Sequence, residues 1–146
     1  AIDVSHLSDR GIEQVLARTT RPIFASHSNA RAVHEHPRSL PDELIREIAA
    51  QGGTVGVNFY YQQLTKHSDA CIEDIADHIC HVVEIGGGGC CAIGSDFDGM
   101  QQYPRDLRTS RDFPALFAAL ERRGFSQEMM YRIAYQNLRD YIVQFV

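Results

Sequence analysis

The sequence predicts an α/β fold built from parallel βαβ units, the architecture of one half of a (β/α)8 barrel. Four short β-rich runs alternate with helix patterns, and the connections between them are short. A complete barrel normally takes about 250 residues, so four strand–helix units in 146 residues amount to half of one. A doubly wound open sheet is the alternative. It fits less well, because no Gly-rich nucleotide-binding turn follows the first run.

The β-rich runs predict the strands Ile2–Ser5, Pro22–Ser26, Thr54–Phe59 and Cys91–Ser95. Helical spacing of apolar residues predicts helices after the Ser8–Asp9 cap, after Pro41, over about Asp69–Ile85, around Phe113–Arg122 and from Ser126 to the end. Strand and helix alternation of this kind is typical of parallel strands joined by right-handed crossovers.

The composition indicates a single globular segment, residues 1–146, with no internal domain boundary. Hydrophobic residues make up 44% of the chain, which excludes a disordered polypeptide, and no run approaches the roughly 18 apolar residues of a membrane span. A net charge of −5 argues against nucleic acid as a partner, because phosphate binding needs a basic surface. The chain begins as though inside a strand, so we expect it to be a piece of a longer protein.

The four cysteines predict structural thiols rather than a metal or redox centre. Cys71, Cys80, Cys90 and Cys91 form no CxxC pair, so neither a zinc knuckle nor a thioredoxin-like site is indicated. We expect free thiols, with Cys90 and Cys91 as ordinary packing residues. A reducing, cytoplasmic location follows from this expectation.

Polar side chains lie at the carboxyl ends of all four predicted strands. His6 follows the first strand and His27 the second, whereas Asn58 lies in the third and Asp96 follows the fourth. The carboxyl ends of parallel strands meet at one rim, where α/β enzymes build their active sites. The sequence therefore predicts that these four residues converge although they are far apart along the chain.

Two histidines and a carboxylate at one rim predict a divalent-metal site. Neutral imidazole and carboxylate are ligands that zinc prefers. A metal in this position lowers the pKa of water and polarises a carbonyl, which is the chemistry of hydrolysis. His6 and His27 are the predicted ligands, and Asp96 is predicted to transfer the water's proton to a leaving amine.

Five runs, in order along the chain, resemble the membrane (renal-type) dipeptidase family, peptidase M19, a group of amidohydrolase-like TIM barrels. These runs are Asp3–Ser8, Ala25–Ala30, His36–Leu40, Gly56–Phe59 and Gly94–Gly99. Together they span most of the sequence, and Asn137–Leu138 also fits the terminal helix of the family. The resemblance implies that the chain is the C-terminal half of the barrel.

The resemblance also implies a zinc-dependent dipeptidase with two metal ions bridged by a glutamate. His6 and His27 would ligate one zinc, and Asp96 would act as the acid/base group. Arg38 would bind the free carboxylate of the dipeptide, for which a guanidinium is well shaped. Asn58, on the rim, is a candidate substrate contact. A small dipeptide is the implied partner, and the family implies a homodimer.

The sequence contains no counterpart of the first barrel half, where the family has its His-x-Asp pair, bridging Glu and a further substrate-binding His. This segment taken alone should bind zinc weakly and lack catalysis, because two histidines leave the coordination shell incomplete. The functional prediction therefore concerns the parent enzyme.

Two alternatives remain open at this point. Asp96 and Asp98 also resemble the nucleophile loop of haloacid-dehalogenase-type phosphatases, with Asp96 attacking phosphorus, Asp98 as acid/base and magnesium as cofactor. The other alternative is a non-catalytic half-barrel that serves in binding or assembly.

Two further histidines, His78 and His81, lie on an acidic helix and are expected at the surface.

Overall fold

Three parallel strands form the sheet in the computed structural model, which describes residues 1–146. The strands β1 (Phe24–Ala25), β2 (Thr54–Asn58) and β3 (Cys91–Ser95) lie side by side in chain order. Every residue of the central strand β2 is buried, as expected for a parallel strand covered on both faces. The α/β class with parallel βαβ units is thereby confirmed.

The first predicted strand, Ile2–Ser5, is wrong as a strand. Only one parallel bridge forms there, between Asp3 and Phe24, with the Val4 N–H donating to Phe24 and the Phe24 N–H donating to Ile2. The pairing stops because the backbone turns at once: the Leu7 N–H donates to Val4, and His6 has a φ of 78°. The residues nevertheless lie beside β1, where the first predicted strand was expected.

Seven α-helices accompany the sheet. They are α1 (Asp9–Leu16), α2 (Asp42–Ala50), α3 (Tyr61–Leu64), α4 (Ile72–Gly86), α5 (Phe113–Arg122), α6 (Gln127–Tyr131) and α7 (Asn137–Val143). The cap at Ser8 is confirmed, since its hydroxyl accepts from the Gly11 N–H. The predicted C-terminal helix is interrupted by a π-helical turn over Arg132–Gln136 between α6 and α7. None of the helices has both the length and the apolar character needed to cross a membrane.

Helices α2 and α4 cover the sheet, and their apolar faces meet it in one continuous core. Ile45 and Ile48 of α2 and Ile75 and Ile79 of α4 are fully buried, as is Val55 of β2. Burying each such side chain stabilises the fold by about 1.5–3 kcal/mol. This packing holds the strand ends, and with them the rim, in a fixed arrangement.

The C-terminal helix is attached to the sheet by two side chains. The Asn137 amide donates to the carbonyls of Gly88 (2.7 Å) and Cys91 (2.8 Å), on either side of the start of β3. Tyr141 packs against Phe24 of β1, with ring centroids 4.9 Å apart. These contacts connect the end of the chain to both edges of the sheet.

The four cysteines are free thiols, as predicted. Cys90 and Cys91 are buried, and burial raises the pKa of Cys90 to about 11 and that of Cys91 well above its ordinary value. Both therefore remain protonated and inert, in agreement with a packing role.

The expected surface position of His78 is wrong. Its imidazole is completely buried: Nδ1 accepts from the Ala30 N–H at 3.2 Å, and Nε2 lies 3.0 Å from the Leu64 carbonyl. Burial lowers the pKa of His78 to about 4, although the Leu64 carbonyl raises it. The expectation of a surface position failed because His78 lies on the same helix face as the buried residues Ile75 and Ile79. His81 is partly exposed and pairs with Asp42 at 2.8 Å.

Candidate active site

Three of the predicted site residues meet at the carboxyl rim of the sheet. The Nε2 atoms of His6 and His27 are 3.0 Å apart, and His27 Nε2 lies 3.9 Å from an Asp96 carboxylate oxygen. His6 is exposed, whereas 19% of the His27 side chain and 31% of the Asp96 side chain remain accessible. His27 after β1, Asp96 after β3 and His6 after the isolated Asp3 bridge thus open onto one solvent-accessible surface.

The surroundings of His27 favour its neutral state. Burial lowers its pKa, and the nearby His6 and Arg38 lower it further, whereas Asp96 and Asp3 raise it. The ring is oriented by Ser26, whose hydroxyl lies 2.7 Å from Nδ1. A neutral, oriented imidazole with Nε2 facing outward is the form in which histidine ligates a metal.

Asp96 reaches the rim because β3 contains a bulge. Val57 pairs with Ile93, but the next residue of β2, Asn58, pairs with Ser95, so Gly94 is an extra residue in β3. Ser95 and Asp96 then adopt positive φ values of 40° and 67°. With His6 they are the three non-glycine residues of positive φ in the molecule, and all three lie at this rim.

The Asp96 carboxylate lies over Gly99. A Cβ at Gly99 would come within 2.3 Å of an Asp96 oxygen, so a larger residue there would displace the carboxylate from this position. The Gly99 N–H also donates to the Asp96 carbonyl at 3.0 Å, which closes the turn.

Asn58 is buried behind Asp96. It is 1% exposed; its amide nitrogen donates to Asp96 at 3.4 Å, and its amide oxygen accepts from the Tyr60 N–H at 2.6 Å. Its backbone N–H donates to the side chain of the buried Asn29. The contacts of Asn58 are therefore with Asp96 and the surrounding backbone, and its contact with substrate stays a prediction.

Arg38 lies near the same rim with an unusual set of unused donors. Its Nε and Nη2 atoms are buried and have no hydrogen-bond partner. Burial lowers the pKa of Arg38, while Asp96 and Asp3 raise it, but a guanidinium of this kind stays charged. Buried donors without partners are costly, so this geometry indicates a binding position for an anion.

The loop that contains Arg38 is anchored by another arginine. Arg31 pairs with both Asp9 carboxylate oxygens, at 2.7 and 2.8 Å, and also donates to the Ser39 carbonyl. Since Asp9 opens α1 just after His6, this bidentate pair connects the His6 segment to the Arg38 loop.

The rim fits part of a metal site and not a complete one. The structure contains no group of three or more histidine, cysteine, aspartate or glutamate side chains placed to hold a metal ion. His6 and His27 do present two adjacent imidazole nitrogens, which is a fitting pair of ligands for a divalent cation. Two imidazoles alone do not complete the coordination shell of such an ion.

Sequence reasoning missed four residues that shape the site: Asp3, Ser26, Asn29 and Arg31. Asp3 and Ser26 precede the two histidines by three and one positions, inside runs that the sequence analysis had already singled out. Asn29 lies in one of these runs too, but its partners Asn58 and Gln63 are distant along the chain, and nothing in the local pattern distinguishes Arg31.

The model of the membrane dipeptidase family, peptidase family M19, matches residues 1–140. The chain belongs to this family. A Schizosaccharomyces pombe protein named as an uncharacterized dipeptidase is 34% identical over 139 residues, covering 94% of this chain and 34% of that protein. A second S. pombe protein of the same description is 36% identical, covering 88% of this chain and 32% of that protein. The chain thus spans about a third of the length of these relatives.

A solved structure shares the fold closely. It is a metallopeptidase from Rhodobacter sphaeroides with a phosphinate mimic of the dipeptide L-Ala-D-Ala, and it superposes with a TM-score of 0.90 at 30% identity. The match covers 97% of this chain and 41% of the other. The superposition agrees with a partial TIM barrel. Family membership favours the dipeptidase interpretation over the haloacid-dehalogenase alternative, because the Asp96–Asp98 motif belongs to an M19 chain.

Proposed function

We propose that this chain supplies one half of the active site of a zinc-dependent dipeptidase, which hydrolyses the peptide bond of dipeptides. The principal support is the 3.0 Å approach of the His6 and His27 Nε2 atoms, with Asp96 beside them on the same rim. The remaining ligands, including those for a second zinc, would come from a preceding half-barrel. Family membership supports metal use in general, and zinc is the proposed ion because the ligands are imidazoles.

His6 and His27 would hold one zinc ion through their Nε2 atoms. When bound, zinc polarises the peptide carbonyl and makes a water molecule more acidic. The protein must then keep both imidazoles neutral and correctly turned. Burial of His27, which lowers its pKa, favours this state.

Asp96 would accept the proton of the attacking water and deliver it to the leaving amine. Its carboxylate lies 3.9 Å from His27 Nε2 and accepts a hydrogen bond from the Asn58 amide. The bulge and the two positive φ values direct this side chain toward the histidines. A proton acceptor held beside the metal ligands can serve both steps without moving far.

Arg38 would bind the free α-carboxylate of the dipeptide. Its unpartnered Nε and Nη2 atoms are the two donors that a guanidinium uses in a bidentate pair with a carboxylate. Such a contact limits substrates to peptides whose carboxyl end lies next to the scissile bond. A dipeptide meets this requirement, because its C-terminal residue carries the free carboxylate and is also the leaving group.

A polar cleft beside Asp96 offers space for a small substrate side chain. It has a volume of about 410 Å³ and is lined by Tyr60–Gln62 and Gly99–Gln102. The Rhodobacter relative binds a mimic of L-Ala-D-Ala, so we propose small dipeptides, including those with a D residue at the carboxyl end, as substrates.

The carboxylate role is tested with Arg38→Ala in the complete protein. We expect KM for L-Ala-D-Ala to rise about 100-fold, because a charge-assisted bidentate pair is worth about 3 kcal/mol. The corresponding dipeptide amide, which lacks the carboxylate, should be hydrolysed almost equally by both proteins. Arg38→Lys is the matched control and should recover part of the loss. Equal losses for both substrates would contradict the assignment.

The acid/base role is tested with Asp96→Asn. The variant should retain bound zinc, measured by elemental analysis, and lose at least about 100-fold in kcat. Loss of zinc with no separate defect in turnover would make Asp96 a ligand instead. A complete wild-type protein that binds zinc and hydrolyses no dipeptide would favour the non-catalytic binding module.

A further inference from the structure

The ring of His27 is the end of a short hydrogen-bonded chain that begins at Asp3. Asp3 Oδ2 lies 2.5 Å from the Ser26 hydroxyl, which in turn lies 2.7 Å from His27 Nδ1. Asp3 is anchored from its other side, since Oδ1 accepts from the backbone N–H groups of Ser5 and Ser26, each at 3.0 Å. The histidine backbone is fixed as well, because its N–H donates to the Ser5 hydroxyl.

We propose that Asp3 and Ser26 are positioning residues, which place the proton of neutral His27 on Nδ1 and leave the Nε2 lone pair free for the metal. This inference deepens the proposed function and rests on it for the identity of the ligand. Neither residue touches the metal or the substrate in this assignment. Both act only through the imidazole of His27.

The direction of the chain follows from counting protons. An ionised Asp3 can only accept hydrogen bonds, and all three of its short contacts come from N–H or O–H groups. Although partial desolvation raises the pKa of Asp3, the hydrogen bonds from Ser26 and Ser5 lower it below its ordinary value, so the carboxylate is ionised.

Ser26 has a single hydroxyl proton, and this proton must point to Asp3. If it pointed to His27 instead, two oxygen lone pairs would face each other at 2.5 Å. The Ser26 oxygen is therefore an acceptor toward the ring, and His27 Nδ1 is the donor. Neutral imidazole has one ring proton, so Nε2 is left unprotonated.

The two histidines consequently differ. His27 Nε2 is an acceptor, so His6 Nε2 is the donor across their 3.0 Å contact in the metal-free protein. No comparable polar partner faces the other ring nitrogen of His6. His27 is therefore already in its ligating tautomer, whereas His6 must shift its proton from Nε2 before it can ligate.

The variant Asp3→Asn tests the direction of the chain. The Asn amide oxygen can replace Oδ1 and still accept from Ser5 and Ser26, which places the amide nitrogen where Oδ2 was. That nitrogen must donate to Ser26, and the Ser26 proton then turns to His27 Nδ1 at 2.7 Å, which is a nearer acceptor than the Ser5 hydroxyl at 3.4 Å. The ring is forced to carry its proton on Nε2, the wrong tautomer for a metal ligand.

The experiment measures the tautomer directly. Protein labelled with ¹⁵N-histidine is prepared without metal at pH 8, and long-range ¹H–¹⁵N correlation spectra show which ring nitrogen holds the proton. We expect Nδ1–H for His27 and Nε2–H for His6 in the wild type, and Nε2–H for His27 in Asp3→Asn. Ser28→Ala is the matched control, since it removes a neighbouring hydroxyl of the same segment, and it should leave both tautomers unchanged.

Zinc affinity supplies the second measurement, by competition with a chelator in the complete protein. Loss of an outer-shell partner typically weakens metal binding by about 10–100-fold, and we expect this loss for Asp3→Asn and not for Ser28→Ala. If Asp3→Asn does not fold, Ser26→Ala replaces it, and His27 should then populate both tautomers.

Either of two NMR results would overturn the proposal: an Nε2–H tautomer for His27 in the wild type, or the same His27 tautomer in Asp3→Asn as in the wild type. A reversed His27 tautomer in Asp3→Asn that leaves the zinc affinity unchanged would also overturn it. The tautomers are measured without metal or substrate. A protein with the expected tautomers and zinc affinities that hydrolyses no dipeptide would therefore contradict the proposed function alone.

Discussion

Acid should destabilise this protein through one buried histidine, His78. Its Nδ1 accepts from the Ala30 N–H and its Nε2 faces the Leu64 carbonyl, so the buried ring is neutral with its proton on Nε2. A second proton would have to sit on Nδ1, directly against the Ala30 N–H. The imidazole therefore cannot be charged without losing the contact that connects α4 to the segment after β1.

The size of the effect follows from the pKa difference. The pKa of His78 is about 4 in the folded state, against 6.5 for an unperturbed histidine in the unfolded chain. Between these values the unfolded chain binds a proton that the folded protein does not, so stability is complete above pH 6.5 and falls as the pH drops toward 4. At pH 5 the loss amounts to about 2 kcal/mol, and it reaches about 3 kcal/mol near pH 4.

Urea unfolding between pH 7.5 and pH 4.5 measures this loss in wild type and in His78→Gln. Glutamine can keep both hydrogen bonds but does not titrate, so the variant should lose about 2 kcal/mol less than wild type on going to pH 5. Carboxylates titrate alike in both proteins and cancel in the comparison. His67→Gln removes an exposed histidine whose side chain has no ion-pair or hydrogen-bond partner; it retains His78 and should behave as wild type does. Identical pH dependence in wild type and His78→Gln would refute the reasoning.

Two further substitutions test the contacts that hold the strand ends together. Gly56→Ala should destabilise the protein by roughly 3 kcal/mol, because the new Cβ would lie 2.3 Å from the Ser26 carbonyl oxygen. Thermal unfolding measures this loss, and a variant as stable as wild type would contradict the close approach. Asn137→Ala should lower the free energy of unfolding, measured with urea, by about 2 kcal/mol, because the Gly88 and Cys91 carbonyls both lose their donor. Asn137→Asp should be no more stable than Asn137→Ala, since a carboxylate cannot donate a hydrogen bond.

Local patterns were enough to locate most of the secondary structure and the ends of the strands. The apolar spacing of α2 and α4 is a property of neighbouring residues, and it placed both helices within a few residues of their observed bounds. Because parallel strands run in the same direction, a residue that directly follows a strand lies at the carboxyl rim, whatever the order of the strands in the sheet. His27 and Asp96 could therefore be assigned to the same surface before their distance was known.

The two wrong predictions, the strand at Ile2–Ser5 and the exposed His78, have related physical origins, because the outcome depended on backbone geometry or on partners that the local pattern does not show. Ile2–Ser5 has the composition of a strand, but the turn at His6 restricts it to one bridge. His78 was expected in solvent because its own helix is acidic, whereas Ala30 and Leu64 supply the two partners that make its burial possible.

The sequence by itself indicated which chemical groups the rim holds: two imidazoles and a carboxylate, each placed by its position after a predicted strand, and a guanidinium, placed by the family resemblance. Only the tertiary structure decided how those groups are directed. The extra residue at Gly94 turns Asp96 toward His27, and Asp3 orients the His27 ring through Ser26. Direction depends on hydrogen bonds and close contacts between segments more than twenty residues apart, and such contacts exist only once the chain has folded.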